Sequence, residues 1–185
     1  MQKGVLNMDM REYHRLAMRT SPRDGHDKID NGILGLIGET GELVDIYKKW
    51  VYQSHPGAEL PKDRLADELG DVIWYLAEIA DGMDKNLRDV ICADFDRLDQ
   101  SARKLKVAMP LRKTIIHMMD DALLIEKTCI EEKMRVYMHL IIEHAAQLAK
   151  QIGIPMAEIA RRNIDKLKKR YPDGFDARIS EARYE

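Results

Sequence analysis

The fold is decided by two stretches of sequence, GLIGETGELVDIYKK at residues 35–49 and RLADELGDVIWYL at residues 64–76. Each stretch carries a pair of carboxylates three residues apart. These are Glu39 and Glu42 in the first stretch and Glu68 and Asp71 in the second. Side chains spaced by three lie on one face of an α-helix, whereas neighbouring positions of a strand alternate between two faces. Both stretches are therefore predicted to be helices, each with one acidic edge.

An apolar stripe accompanies each acidic edge. At about 100° per residue, the stripes consist of Leu36, Thr40, Leu43, Tyr47 and Trp50 in the first helix and of Leu65, Leu69, Val72, Leu76 and Ala80 in the second. The carboxylates lie on the same-handed flank of both stripes, so packing the stripes together brings the four carboxylates to one edge of the contact. Such a group repels itself unless a cation lies within it. Mg²⁺ is the natural candidate, because it takes oxygen ligands and is usually shared with substrate phosphates.

Three glycines lie beside these carboxylates, at intervals of three residues: Gly35, Gly38 and Gly41. In a helix interior each costs about 0.5–1 kcal/mol relative to alanine. We expect that the missing side chains let a neighbouring helix or a ligand approach the backbone.

The composition of the 185-residue chain favours an all-α fold. Aromatic residues make up only 6%, helix-forming residues are abundant, and no segment alternates cleanly between apolar and polar positions. We predict a helical bundle forming one domain over residues 1–175, followed by a charged tail at 176–185. The predicted helices cover residues 8–18, 32–52 (capped by Asp30 or Asn31), 64–83, 84–106, 112–151 with a break near Cys129, and 156–170.

Charge and cysteine content narrow the class of protein. Thirty basic and 32 acidic residues give a net charge of −2, which argues against a protein that coats nucleic acid or an acidic membrane. The two cysteines, Cys92 and Cys129, cannot form a disulfide framework. The N-terminal residues lack the apolar segment of a signal peptide, and no stretch reaches 18 apolar residues. We predict a cytoplasmic protein without a membrane partner.

An internal repeat is suggested when the sequence is aligned with itself, because residues 77–98 then match residues 146–167 with four identities. A decayed duplication and shared helical periodicity both explain this similarity. In the same alignment, the positions that correspond to the four carboxylates are occupied by Ala108, Leu111, Tyr137 and Leu140. None of these side chains binds a metal in this way, so we expect one site per chain.

The histidines do not indicate a metal site in the sequence. A di-iron carboxylate bundle requires Glu-x-x-His, and none of the six histidines has a glutamate three residues before it. That class is excluded, and we assign the histidines no role.

Three segments, GETGELVDIYKK, DELGDVIWYLA and NIDKLKKRYPDGF, occur in the order typical of the MazG-type, all-α nucleoside triphosphate pyrophosphohydrolases, which the sequence resembles. The spacing between Glu42 and Glu68 also falls within the range of that family. The resemblance implies hydrolysis between the α- and β-phosphates, with Mg²⁺ as cofactor and Mn²⁺ as the alternative. It also implies that Glu39, Glu42, Glu68 and Asp71 are the catalytic metal ligands.

The resemblance implies further binding residues. Lys166, Lys169 and Arg170 match basic positions that resemble the family's phosphate-binding cluster. We also expect phosphate contacts from Lys49, which lies on the flank of the carboxylates, and from Asn163, one turn before Lys166. Trp74 and Tyr75, with Trp50, are candidates for stacking on a base, although aromatic residues at helical spacing are more often core. Short members of the family lack a counterpart of residues 84–153, which therefore form an insertion. Because of this insertion, two pairs of residues at equivalent positions of the repeat could complete the site. One pair is Asp94 and Arg97, and the other is Asn163 and Lys166.

Several functions remain open within and beyond this family. The substrate can be a common or damaged (d)NTP, dUTP or dCTP, and phosphoribosyl-ATP pyrophosphohydrolase is the nearest alternative enzyme. A helical nucleic-acid or protein interaction module is the alternative from another class, supported by the basic segment RRNIDKLKKRY at residues 161–171. We do not expect a nucleic-acid partner, because the rest of the chain offsets this charge. We predict a homodimer, in which residues 84–153 supply part of the cover for the apolar stripes and self-association supplies the rest.

Overall fold

The computed structural model describes residues 8–21, 27–107, 109–128 and 130–178, which fold into α-helices without any β-strand. The helices are α1 (Met10–Ala17), α2 (Lys28–Gln53), α3 (Lys62–Gly82), α4 (Leu87–Ile91), α5 (Phe95–Lys104), α6 (Leu111–Glu126), α7 (Glu131–Ile152) and α8 (Met156–Arg170). A short 3₁₀ turn, Met18–Thr20, follows α1. The all-α prediction is confirmed. None of the helices in the described ranges combines the length and apolarity needed to span a bilayer.

Helices α2 and α3 form an antiparallel hairpin, and the two predicted stripes meet inside it. All five stripe residues of α3 are buried, as are Leu36, Thr40 and Leu43 of α2, whereas Tyr47 and Trp50 are half-buried. The close approach depends on Gly35, where an added Cβ would lie 2.0 Å from the ring of Tyr75. By contrast, a Cβ at Gly38 would meet nothing within 4 Å. A neighbouring helix therefore approaches the backbone closely at Gly35, as expected, but no such approach occurs at Gly38.

Helices α6 and α7 form a second hairpin that covers the first. Helix α6 packs against α2, and α7 packs against α3. Their apolar side chains, including Ile115, Met118, Ala122, Ile141 and Ile142, are buried. Full burial of each of the larger side chains among these stabilises the fold by about 1.5–3 kcal/mol. The cover that we predicted from residues 84–153 is thus present within the chain.

Two pairs of helix starts have the same offset as the repeat that the sequence suggests. Helix α7 begins at Glu131 and α3 at Lys62, and the same offset separates the start of α8 at Met156 from that of α4 at Leu87. It is also the offset that aligns residues 77–98 with residues 146–167. Helix α7 is capped by Gly153, whose φ of +78° is the left-handed conformation common at helix ends.

Helix α8 follows this turn and runs back along α3 and α1. The predicted turn at residues 153–155 and the predicted bounds of α8 are both confirmed. The C-terminal part of the described chain is thereby placed against the α2–α3 hairpin.

The single helix predicted over residues 84–106 is wrong. Helix α4 is capped by Cys92, which has a φ of +56°, and α5 starts after Asp94. The Asp94 carboxylate accepts a hydrogen bond from the Met10 backbone N–H at 3.1 Å and pairs with Arg88 at 3.3 Å. These contacts with α1 and α4 hold the break in place.

The start of α2 is also earlier than predicted. The helix begins at Lys28, because the Asp27 carboxylate accepts hydrogen bonds from the backbone N–H groups of Ile29 (3.0 Å) and Asp30 (3.3 Å). Between α6 and α7 the chain leaves the helix after Glu126, as predicted, while Cys129 itself lies outside the described residues. Of the predicted tail, residues 179–185 also lie outside them.

Candidate functional site

Three of the four predicted carboxylates converge between α2 and α3. Glu39, Glu68 and Asp71 each offer an oxygen, and these oxygens lie within 4.8 Å of one another. All three side chains are half-buried. Glu42 lies one turn further along α2, is exposed and does not belong to this group, although its charge still raises the pKa of Glu68.

The group is electrostatically strained in the absence of a cation. Burial, followed by the charges of Asp71 and Glu68, raises the pKa of Glu39 to about 7. Burial and the charge of Asp71 also raise the pKa of Glu68, and the Lys166 charge opposes both shifts. A hydrogen bond joins Glu39 to Glu68 and favours the protonated form of Glu39. Below about pH 7, Glu39 is therefore mostly protonated, and a bound cation would relieve the repulsion.

We expect that raising the pH from about 5 to about 8 destabilises the metal-free wild type more than a Glu39→Gln variant. The raised pKa means that the folded state holds this proton more tightly than the unfolded chain. The resulting stabilisation is complete below the ordinary value of 4.5 and is lost as the pH rises through about 7. Thermal unfolding with a chelator present, followed by circular dichroism, measures the difference. Equal pH slopes in the two proteins would contradict the assignment of the raised pKa to Glu39.

Helix α8 completes the site through Asp71. The Lys166 ammonium donates to both oxygens of Asp71, at 2.7 and 2.5 Å, and the Asn163 side-chain amide donates to one of them at 2.8 Å. The alternative residues point elsewhere. Asp94 holds the break before α5, and Arg97 donates to the Cys92 carbonyl at 3.5 Å. Of the two candidate pairs, Asn163 and Lys166 are the pair that reaches the carboxylates.

Tyr13 of α1 belongs to this network, and the sequence analysis missed it. Its side chain is completely buried, and its hydroxyl donates to Asn163 Oδ1 at 3.0 Å. The bond sets the orientation of the Asn163 amide, whose NH₂ group then faces Asp71. Gly70 permits the contact, since a Cβ there would lie 3.0 Å from the Asn163 Cβ. A lone tyrosine in an amphipathic helix carries no sequence signal for this role.

The Tyr13→Phe variant is expected to lose about 1–3 kcal/mol of stability, because Asn163 Oδ1 remains buried without its donor. Urea unfolding measures this loss. Tyr52→Phe is the matched control, since Tyr52 is exposed on α2. An unchanged urea midpoint for Tyr13→Phe would show that the hydroxyl does not hold the amide in place.

The other predicted phosphate-binding residues lie apart from the carboxylates. Lys49 pairs with Asp45 at 2.5 Å on the exposed side of α2. It is ten residues beyond Glu39, or about 15 Å along the helix. Lys169 is exposed and Arg170 is half-buried, both in the last turn of α8. Neither forms an ion pair with another of the described residues.

The candidate base-stacking residues occupy three different positions. The Trp74 indole N–H donates to Thr20 Oγ1 at 3.1 Å and to the Ala17 carbonyl at 3.2 Å, which ties α3 to the end of α1. The Trp50 indole donates to the Ala58 carbonyl at 2.9 Å. Tyr75 lies one turn beyond Asp71, between Gly35 and the edge of the Trp74 ring. Trp74 and Tyr75 both lie within about one turn of Asp71 on α3, whereas Trp50 lies on α2.

Two curated proteins are similar to part of the chain. The gene 37 protein of Mycobacterium phage L5 is 36% identical over 67 residues, which cover 35% of this chain and 58% of that protein. The dCTP pyrophosphatase 1 of Mus musculus is 34% identical over 70 residues, which cover 36% of this chain and 41% of that protein. The chain thus spans about half the length of these relatives. No protein-family profile and no solved structure matches the chain.

These observations define an all-α protein with a group of three carboxylates that could hold a metal ion. The similarity to a dCTP pyrophosphatase supports a distant relation to nucleotide pyrophosphatases.

Proposed function

We propose that this protein is a Mg²⁺-dependent nucleoside triphosphate pyrophosphohydrolase, which releases pyrophosphate and leaves a nucleoside monophosphate. The observation that carries the proposal is the convergence of Glu39, Glu68 and Asp71 beside Lys166. Carboxylates can hold a divalent cation, and an adjacent ammonium can neutralise phosphate charge. The partial similarity to a dCTP pyrophosphatase points to the same chemistry.

The donor set fits Mg²⁺, with Mn²⁺ as the alternative, because all the donors are carboxylate oxygens. Glu39, Glu68 and Asp71 would hold the cation. We assign the fourth carboxylate to Glu42, whose exposed side chain lies one turn from Glu39 and acts electrostatically on Glu68. When bound, Mg²⁺ would neutralise phosphate oxygens and lower the pKa of a bound water.

The protein residues then have separate roles. Glu39 and Glu68 lie beside the proposed cation, and one of these two carboxylates would accept the proton that the attacking water loses. The water oxygen forms a bond to the α-phosphorus, and the bond from that phosphorus to the bridging oxygen breaks. The pyrophosphate that leaves carries the developing negative charge. Lys166 pairs with Asp71 beside the proposed cation, and its ammonium would stabilise that charge.

The test is a pyrophosphate-release assay on the full chain with Mg²⁺, with Mn²⁺ and with a chelator. It covers the common NTPs and dNTPs, including dUTP and dCTP, together with phosphoribosyl-ATP. We expect metal-dependent release from at least one of them, and dCTP is the first candidate because of the murine relative. Preference for phosphoribosyl-ATP would select the alternative enzyme. Absence of metal-dependent release from every substrate would refute the proposal.

The nucleic-acid alternative loses support from the ion pairs of α8. Arg161 pairs with Glu158 and Asp165, each at 2.7 Å. Arg162 pairs with Glu158 and Asp63, each at 2.9 Å. The charges of these arginines are thus already compensated within the chain, and phosphate binding along nucleic acid would have to displace these partners.

A cytoplasmic location and self-association as a dimer complete the proposal. Several large apolar side chains remain exposed on the chain, among them Leu34, Val51, Tyr52 and Val136. Light scattering at micromolar concentration tests the dimer, and a strictly monomeric, fully active protein would contradict it.

A further inference from the structure

A second group of metal-binding side chains joins α6 to α7, within the segment that covers the α2–α3 hairpin. His117 and Asp121 lie one turn apart on α6, and His144 lies opposite them on α7. The rings of His117 and His144 stack with centroids 5.5 Å apart and planes 17° apart. Asp121 Oδ2 lies 3.3 Å from His144 Nδ1. We call these three residues the His–Asp–His cluster.

The two facing atoms of this cluster are buried, and their closest polar partner is each other, at 3.3 Å. Asp121 is only 8% exposed, and among the described residues neither its Oδ2 nor His144 Nδ1 has a partner in hydrogen-bonding geometry. Buried polar atoms are almost always satisfied, because leaving one unpaired costs about 1–3 kcal/mol. The cluster therefore presents two adjacent ligand atoms that are held together only by this long contact.

We propose that the His–Asp–His cluster binds a transition-metal divalent cation of the Zn²⁺ type, with water in the remaining position. Ligand atoms about 2.0–2.1 Å from a tetrahedral Zn²⁺ lie about 3.3 Å from each other. Asp121 Oδ2 and His144 Nδ1 already have this separation. Imidazole with carboxylate is a donor set that suits Zn²⁺ rather than Mg²⁺. The site does not depend on the proposed pyrophosphohydrolase activity.

His117 supplies the third ligand after a change of rotamer. In the described structure its ring lies flat on His144, and the three ligand atoms are not all within 4.8 Å of one another. The side chain is exposed, so it can rotate without disturbing the core. Its spacing of four residues from Asp121 places both on one face of α6.

The electrostatic surroundings also favour a cation. Apart from the three members themselves, the charges that act most on Asp121 and His144 are those of Asp120 and Glu143, and both are negative. A bound cation would connect α6 to α7 and stabilise the folded chain.

The experiment measures Zn²⁺ affinity of the full chain by competition with a chromogenic chelator, together with the d–d absorption of bound Co²⁺. Five proteins are compared: wild type, Asp71→Asn, His117→Ala, His144→Ala and the exposed control His55→Ala. We expect a tightly bound ion that persists in Asp71→Asn and in His55→Ala. His117→Ala and His144→Ala should each weaken Zn²⁺ binding by roughly tenfold or more and reduce the tetrahedral Co²⁺ absorption.

Two results would overturn the proposal. One is wild-type affinity in His117→Ala, whose exposed position leaves folding intact even if His144→Ala misfolds. The other is loss of all Zn²⁺ binding in Asp71→Asn, which would place the ion among the carboxylates between α2 and α3. A Zn²⁺-dependent rise in melting temperature that His117→Ala abolishes would add support from stability.

Discussion

Asp71→Asn is expected to abolish Mg²⁺-dependent pyrophosphate release, with a fall in kcat/KM of roughly a thousandfold, or about 4 kcal/mol. The substitution removes one charge from the proposed cation ligands and the anionic partner of Lys166. The new side chain has the same shape as aspartate, and its amide oxygen can still accept the hydrogen bond that Asn163 donates. Because one of three mutually repelling carboxylates is neutralised, the metal-free variant should stay folded.

Asp67→Asn is the matched control for this experiment, since Asp67 is an exposed carboxylate on the same helix, four residues earlier. Glu42→Gln should lose activity as well if Glu42 is the fourth ligand. Turnover of Asp71→Asn within about twofold of wild type would remove the basis for the metal site. Loss in Asp71→Asn but not in Glu42→Gln would restrict the site to the three converging carboxylates.

Lys166→Ala is expected to lower kcat/KM by about ten- to a hundredfold, with a loss in kcat as well as a rise in KM. Charge-assisted hydrogen bonds are worth about 1.5–3 kcal/mol. The proposed bond from the Lys166 ammonium to the leaving pyrophosphate should strengthen as negative charge builds there. In the metal-free protein, however, Lys166 occupies both oxygens of Asp71. Removing it should therefore leave the affinity for Mg²⁺ alone unchanged or raise it, while turnover falls.

A fall in turnover without a loss of Mg²⁺ affinity distinguishes phosphate contact from general damage to the site. Lys168→Ala is the control, because Lys168 is exposed on the same helix and its charge acts on Glu12 instead. Steady-state kinetics and calorimetric titration with Mg²⁺ give the two quantities. A Lys166→Ala protein that hydrolyses nucleotide normally but binds single-stranded DNA less well would support the nucleic-acid alternative. Arg170→Ala, tested beside it, shows whether the last turn of α8 also contacts phosphate.

The helices themselves could be predicted because helical periodicity is a local property. Apolar spacing placed α3 within two residues of its observed bounds and α8 at its observed bounds. The acidic edges of α2 and α3 follow from the same arithmetic. Packing of the two apolar stripes then predicted that four carboxylates meet, and three of them, Glu39, Glu68 and Asp71, converge. The start of α2 also depends on a local signal, because Asp27 is an ordinary N-cap residue, although Asp30 or Asn31 was predicted as the cap.

Spacing alone could not separate Glu42 from Glu39. Both lie on one flank of α2, and one turn apart they look equivalent in a helical projection. Which of them meets α3 depends on where the two helices come closest, and the ring of Tyr75 against Gly35 helps to define that approach. Glu42 falls outside the resulting group and remains exposed.

Contacts between distant segments decided the rest. The break after Cys92 is held by a hydrogen bond between Asp94 and Met10, which are 84 residues apart. The Asn163 bonds to Tyr13 and Asp71 cross 150 and 92 residues. The periodicity within one segment predicts that the segment is a helix and which of its faces is acidic. The meeting of α1, α3 and α8 depends on burial of apolar side chains from all three helices at once, and no local pattern contains that information.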